Sequence, residues 1–278
     1  MHLLWDIRVS LDLFLGGLGV GAFLVGAVLF FIDARLYESI IKKAFIIAPI
    51  MVMTGLLMLL SELGRPMNVI KTIYAVNPTS FMSIGIFVQS VFVAVALLVA
   101  FSTLSKKIKD INKVLVYITV SLAGLVGLYH GFLLTGISIE PWNNALPVMF
   151  LTSSVIAGSS LVFLLSVDKM DELFTNLKLP VVINLVLTLQ FAAVFIWVYN
   201  LALTSASSRH IYEVLMSGFG MEFWVLSVLV GIVIPAGLLT FVLLKQVSFK
   251  VVALPVFVMM IAGSFFFKNL VVYLGQAI

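Results

Sequence analysis

Long apolar stretches without charge alternate with short polar clusters along the whole chain. Leu13–Ile32, Ala44–Ser61, a stretch inside Thr72–Ser105 and Val114–Ile139 make up the first half, and Pro141–Val167, Leu179–Ser208, Phe223–Leu244 and Val251–Ile278 the second. An α-helix crossing the hydrocarbon of a bilayer needs about 20 such residues, and each stretch supplies enough. Within them His130 and Lys268 alone bring an imidazole or a cation. The pattern predicts an all-α integral membrane protein of eight transmembrane helices, residues 1–278 forming a single transmembrane domain of two four-helix bundles. Connections are short, as between antiparallel neighbours. The longest, Glu62 to about Asn77 and Ser205 to about Met221, fall on one side of the membrane, and no internal repeat is evident.

Composition excludes the alternatives. Hydrophobic residues make up 63% of the chain and charged residues 10%, whereas a soluble domain carries roughly 25% charge. The mean hydropathy is +1.24. The net charge of +4 is spread over connections with no dense basic patch, which argues against a nucleic-acid partner. The chain has no cysteine, so it can hold neither a disulfide nor an iron–sulfur cluster of its own. Its first apolar segment lacks a basic leader and is too long for a signal peptide, and so reads as a retained span.

Cations orient the chain, because short cytoplasmic loops are enriched in Lys and Arg. Arg35, Lys42, Lys43, Lys106, Lys107, Lys109, Lys113, Lys169, Lys178, Lys245 and Lys250 gather on one side, against Arg8, Arg65, Lys71 and Arg209 on the other. Both termini are therefore expected outside a prokaryotic cytoplasmic membrane.

Carboxylates towards the outer side stand out against this background. Asp12 falls about 10 Å along a helix starting near Trp5, at about 1.5 Å per residue, and a carboxylate in a span is costly unless it serves a function. Gly16, Gly19 and Phe23 share its face and leave room for a flat ring, while Gly17 and Gly21 form a GxxxG pair suited to close helix packing. His130 and Lys268 each lie seven residues before the outer ends of their spans, at Ile137 and Gly275. With Asp12 they define one shallow layer, with Tyr129 beside His130 and Glu62 just above. Lys268 has the alternative role of an ion-pair partner to Asp12 or Glu62. Asn77-Pro78-Thr79-Ser80 reads as a capped helix start whose N–H groups face the same layer. The histidines His2, His130 and His210 cannot face one another as haem ligands, and no metal site is expected. Such a layer acts on a proton-carrying membrane-soluble substrate or on a transported solute.

The segment Glu62-Leu63-Gly64-Arg65-Pro66, followed by Asn77-Pro78-Thr79-Ser80-Phe81-Met82-Ser83-Ile84-Gly85, closely resembles the signature of the NrfD family, the membrane subunits of polysulfide reductase and its relatives. The resemblance runs in order through Trp5, Gly16–Gly21, Gly131–Leu134, Pro141–Pro147, Phe223-Trp224, Gly231, Pro235 and Gly275-Gln276. It implies the quinone-reactive, prosthetic-group-free membrane anchor of a respiratory oxidoreductase. Such a subunit exchanges electrons between a menaquinone-type quinone and a four-cluster iron–sulfur protein docked outside, with a molybdopterin subunit beyond it. The implied catalytic residues are Asp12, His130 and Glu62, and the implied quinone contacts are Asp12, Gly16, Tyr129, His130, Asn77 and Lys268. Relatives usually carry Arg near the place of Lys268, and Lys lacks the planar fork that clamps a carboxylate. The competing class is a secondary transporter of a small solute, for which repeats and a midplane site would be expected. A purely structural anchor would leave Asp12 and His130 unexplained. Protons are expected to exchange with the outside, since Asn184, Thr188 and Gln190 offer only neutral groups in the inner half.

Overall fold

The computed structural model describes residues 5–62, 76–105, 107–137, 139, 141–169 and 178–277. The Leu63–Pro66 motif, the rest of the connection up to residue 75, and Glu140 lie outside the described residues. Among the described residues eight helices are long and apolar enough to cross a membrane. They are α1 (Ile7–Asp33), α2 (Glu38–Glu62), α3 (Phe81–Ser105), α4 (Lys113–Thr135), α5 (Leu146–Leu164), α6 (Leu179–Leu203), α8 (Met221–Leu243) and α9 (Phe249–Leu274). A shorter helix, α7 (Ala206–Gly218), precedes α8. Large apolar side chains stand on the outside, Leu104 and Val251 being 69% and 70% exposed. Such a surface requires lipid as its solvent, so the chain is a multi-pass membrane protein.

Local chemistry sets the helix ends. Asp6 starts α1 by accepting a hydrogen bond from Arg8 N at 2.7 Å, which places the start six residues before the charge-free run. At the start of α3, Ser80 Oγ accepts from Ser83 N at 3.3 Å. Asn77, expected as the cap, instead accepts from Thr79 N and Thr79 Oγ1 in a turn ahead of the helix. Pro78 lies in that turn and not in the first helical turn. The Ser205–Met221 connection is itself mostly helical: Ser205 caps α7 by accepting from Ser208 N at 3.0 Å. Ile211 and Leu215 are buried while Arg209, His210 and Glu213 are exposed, so α7 is a surface helix with a 3.6-residue period.

The span α8 departs from a plain α-helix. Met221–Val233 is π-helical, and Ser227 Oγ donates to Glu222 O, five residues back, at 2.9 Å. The wide turns stop at Pro235, which has no N–H to continue the ladder. Gly231 lies in this stretch, and a Cβ on it would fall 2.7 Å from Gly263 Cα of α9. The two backbones thus meet where neither carries a side chain.

The helix α1 is the hub. It packs against α2, α4, α5 and α9, and its glycines face different neighbours. Gly19 faces Ala48 O and Val52 of α2, and Gly21 faces the Ser154 backbone and Gly158 of α5. At the end that carries both termini, Trp142 stacks on Trp5 with ring centroids 5.5 Å apart. Its indole donates to Val271 O at 2.8 Å. Gln276 accepts from Trp5 N at 2.8 Å and donates to Trp5 O at 3.0 Å. Trp142 is 3% exposed, so it belongs to this internal lock. At the opposite end Lys43 donates to Leu165 O at 2.5 Å and pairs with Asp168 at 3.8 Å.

The α1–α5 approach should be intolerant of volume. A Cβ at Gly21 would overlap the Ser154 carbonyl, whereas one at Gly124 meets nothing within 4 Å. Gly21→Val should lower the melting temperature in detergent, overpacking a close contact costing about 1–3 kcal/mol. Gly124→Ala should leave it unchanged or slightly raised, since Ala favours a helix by about 0.5–1 kcal/mol over Gly.

Candidate functional site

Polar side chains converge near the terminus-bearing end of the bundle. Asp12 on α1, Gln89 on α3, Tyr129 and His130 on α4 and Lys268 on α9 each lie roughly 8–12 Å in from that end of their helix, at about 1.5 Å per residue. Asp12, Gln89, His130 and Lys268 are fully buried, and Tyr129 is 6% exposed. Among the described residues no atom hydrogen-bonds either carboxylate oxygen of Asp12, either amide atom of Gln89, the Tyr129 hydroxyl or either ring nitrogen of His130. Leaving one buried polar group unpaired costs about 1–3 kcal/mol. A cluster of them in one place sets the space among these four side chains apart from the rest of the packed interior.

Glycines shape that space. Gly16, one turn below Asp12, faces His130: a Cβ there would stand 2.8 Å from Cε1 and 3.0 Å from Nε2 of the imidazole, and 3.7 Å from Gln89 Oε1. Gly55 lets α2 close over the carboxylate, its missing Cβ being 3.0 Å from Asp12 Oδ1. Gly85 leaves room for the Tyr129 ring, with which a Cβ would collide. Tyr129 and His130 sit with ring centroids 6.0 Å apart.

Lys268 approaches from the other side of α1. Its ammonium donates to Leu13 O and to Ser154 Oγ, both at 3.0 Å, and lies 5.5 Å from the centre of the Phe150 ring. Gly17 provides the gap it enters. Its hydrogen bonds go to a carbonyl and a hydroxyl rather than to a carboxylate. The Lys268 amine thus stands behind the layer, held by two neutral acceptors.

The remaining expected residues stand apart. Glu62 ends α2 at the rim and forms an ion pair with Arg8. Arg8 also bonds Asp6 at 2.8 Å and Ser61 O at 2.5 Å. Glu62 therefore joins α1 to α2 above the layer rather than within it, and it is not the partner of Lys268. Asn77 is exposed and occupied by its own turn. Gln89 does not stand out in the sequence: a neutral amide between Val88 and Ser90 leaves the apolar pattern intact. Its one signal is a large hydrogen-bonding side chain in a helix with no other of its size. Ser154, the anchor of Lys268, resembles any small residue in the Ser153-Ser154 pair.

Comparison with known proteins agrees with this architecture. A family profile described as "Polysulphide reductase, NrfD" matches residues 1–278. The C subunit of polysulfide reductase from Wolinella succinogenes is 29% identical over 177 residues, 56% of this chain and 56% of that protein. Protein NrfD of Escherichia coli is 29% identical over 188 residues, 58% of this chain and 59% of that protein. A protein NrfD homolog of Haemophilus influenzae is 23% identical over 274 residues, 84% of this chain and 82% of that protein. The chain spans little more than half the length of the first two curated relatives. With the profile covering the chain from end to end, this multi-pass membrane protein belongs to the polysulphide reductase NrfD family.

Proposed function

We propose that the chain is the quinone-reactive membrane anchor of a respiratory oxidoreductase, passing electrons between the quinone pool and an extrinsic iron–sulfur protein. The observation that carries this reading is the buried layer of unpartnered polar atoms on Asp12, Gln89, Tyr129 and His130. A quinone headgroup is flat, brings two oxygens that need hydrogen bonds, and must exchange protons as it exchanges electrons. At Gly16 an imidazole and a carboxamide come together, with a carboxylate one turn away. Menaquinone-type quinones fit the family relationship, in which one named relative is a polysulfide reductase subunit.

Oxidation of the quinol releases two protons and two electrons. Asp12 and His130 are placed to accept the protons, and the electrons leave to an iron–sulfur cluster of the partner. Reduction of the quinone runs the same steps backwards. Lys268 holds positive charge behind the site and favours the anionic forms that arise as protons depart. Glu62, at the rim with Arg8, is the natural next acceptor for a proton moving outwards. Gln190 accepts from Thr152, and Asn184 donates to Thr240 at 3.2 Å. These are separate local pairs, in keeping with proton exchange at the terminus-bearing end. Beside Gln190 a cavity of about 20 Å³ lined by Ser153, Ser227 and Ser264 has room for about one water.

The cation distribution puts the terminus-bearing end outside, and the partner docks there. A polar recess of about 320 Å³ between Asn143, Asn144, Asn200, Thr204 and Ser208 supports this, and a molybdopterin subunit is placed beyond the iron–sulfur protein. The native sequence has no cysteine, so single-cysteine variants report cleanly. A thiol crosslinker on Asn144→Cys should capture the iron–sulfur subunit in the assembled complex. Capture from Lys109→Cys, at the opposite end, would reverse the orientation.

Proton chemistry should depend on the layer. Asp12→Asn and His130→Ala should leave the complex assembled and reduce quinol-linked turnover about 10²–10⁴-fold, the usual contribution of a positioned acid or base. Full turnover in both assembled variants would refute the assignment.

A further inference from the structure

Gln89 offers more than a polar lining. Its carboxamide is completely buried, and neither Oε1 nor Nε2 has a hydrogen-bond partner among the described residues. Packing does not call for an amide, since Leu or Met would fill a similar volume without about 1–3 kcal/mol for each polar group left unpaired. The amide oxygen lies 3.7 Å from the position a Cβ on Gly16 would take, and His130 Nε2 lies 3.0 Å from the same position. Carboxamide and imidazole therefore converge from α3 and α4 on the same glycine of α1.

The groups gathered there differ in how they behave during turnover. Asp12 and His130 change between donor and acceptor as they gain and lose protons. A carboxamide keeps a fixed donor and a fixed acceptor at every physiological pH. A quinone carbonyl requires a donor, and a quinol hydroxyl offers a hydrogen to an acceptor. Resting on the quinone reading above, we infer that Gln89 is the binding residue for one ring oxygen in both redox states. Nε2 donates to the carbonyl of the quinone, and after a half-turn of the amide Oε1 accepts from the hydroxyl of the quinol. No proton passes through Gln89. It holds the ring while Asp12 and His130 exchange protons, and this separates binding from acid–base chemistry within one layer.

The test uses the complete membrane complex with dimethylnaphthoquinol as substrate and dimethylnaphthoquinone for the reverse direction. Gln89→Leu should raise KM about tenfold in both directions, the effect of losing about one hydrogen bond, with a much smaller change in kcat and the pH profile of kcat retained. Gln89→Glu should make the KM for the quinone rise with pH, because an ionised carboxylate repels a carbonyl oxygen. An unchanged KM in Gln89→Leu overturns this inference alone. If that variant does not assemble, a pH-independent KM in Gln89→Glu does the same. A wild-type complex that neither oxidises the quinol nor reduces the quinone overturns the functional reading, and this inference with it.

Discussion

Close backbone approach along α1 is the constraint on which the other features rest. Gly16 faces His130, Gly19 faces α2, and Gly17 and Gly21 both face α5 at Ser154, with Lys268 entering beside Gly17. In hydrocarbon there is no hydrophobic force between helices, so association relies on packing at small residues and on buried hydrogen bonds. The glycines supply the first, and by bringing backbones together they also set the reach of the second. Lys268 reaches Leu13 O and Ser154 Oγ through the gap at Gly17, and the imidazole of His130 occupies the space beside Gly16. The same feature that holds the bundle together thus decides which polar groups meet.

The polar groups are then treated in two ways. Structural ones are fully engaged: Trp142 with Val271 O, Trp197 with Pro141 O at 2.9 Å, and Gln276 with Trp5 at both atoms of its amide. Asp12, Gln89, Tyr129 and His130 are equally inaccessible to solvent yet engaged by nothing among the described residues. Within a membrane the contrast is sharp, because water is not at hand to satisfy a stray group. It is on this contrast, more than on the presence of ionisable residues, that the proposed binding site rests.

Much of this is legible in the sequence, for reasons that differ between residues. Eight spans follow from hydropathy because bilayer thickness fixes helix length. Asp12, His130 and Lys268 stand out because charge and imidazole are rare in apolar helices, and their common depth can be counted along each span. Gly16 and Gly17 can be assigned to a site or to packing but not divided between them, since the division depends on which neighbour each one faces. Depth alone draws Glu62 into the site; Arg8, an ordinary helix-start cation in the sequence, holds it at the rim. Trp142 sits in a polar segment and looks exposed until Trp5 from the other end of the chain stacks on it. Gln89 and the π-helical turns of α8 escape notice because neither disturbs the apolar pattern. The NrfD resemblance reaches the family without any of these contacts, because its motifs record glycines and prolines whose spatial reasons appear only in three dimensions.

The space between α1, α3 and α4 is, in this view, the seat of a quinone ring. Photolabelling of the assembled complex with an azido-naphthoquinone, followed by peptide mapping, addresses this directly. The label should fall on peptides containing Asp12–Gly16, Gly85–Gln89 or Tyr129–His130 and should be displaced by excess native quinone. Displaceable labelling confined to α6 and α8, with none on α1, α3 or α4, would contradict it.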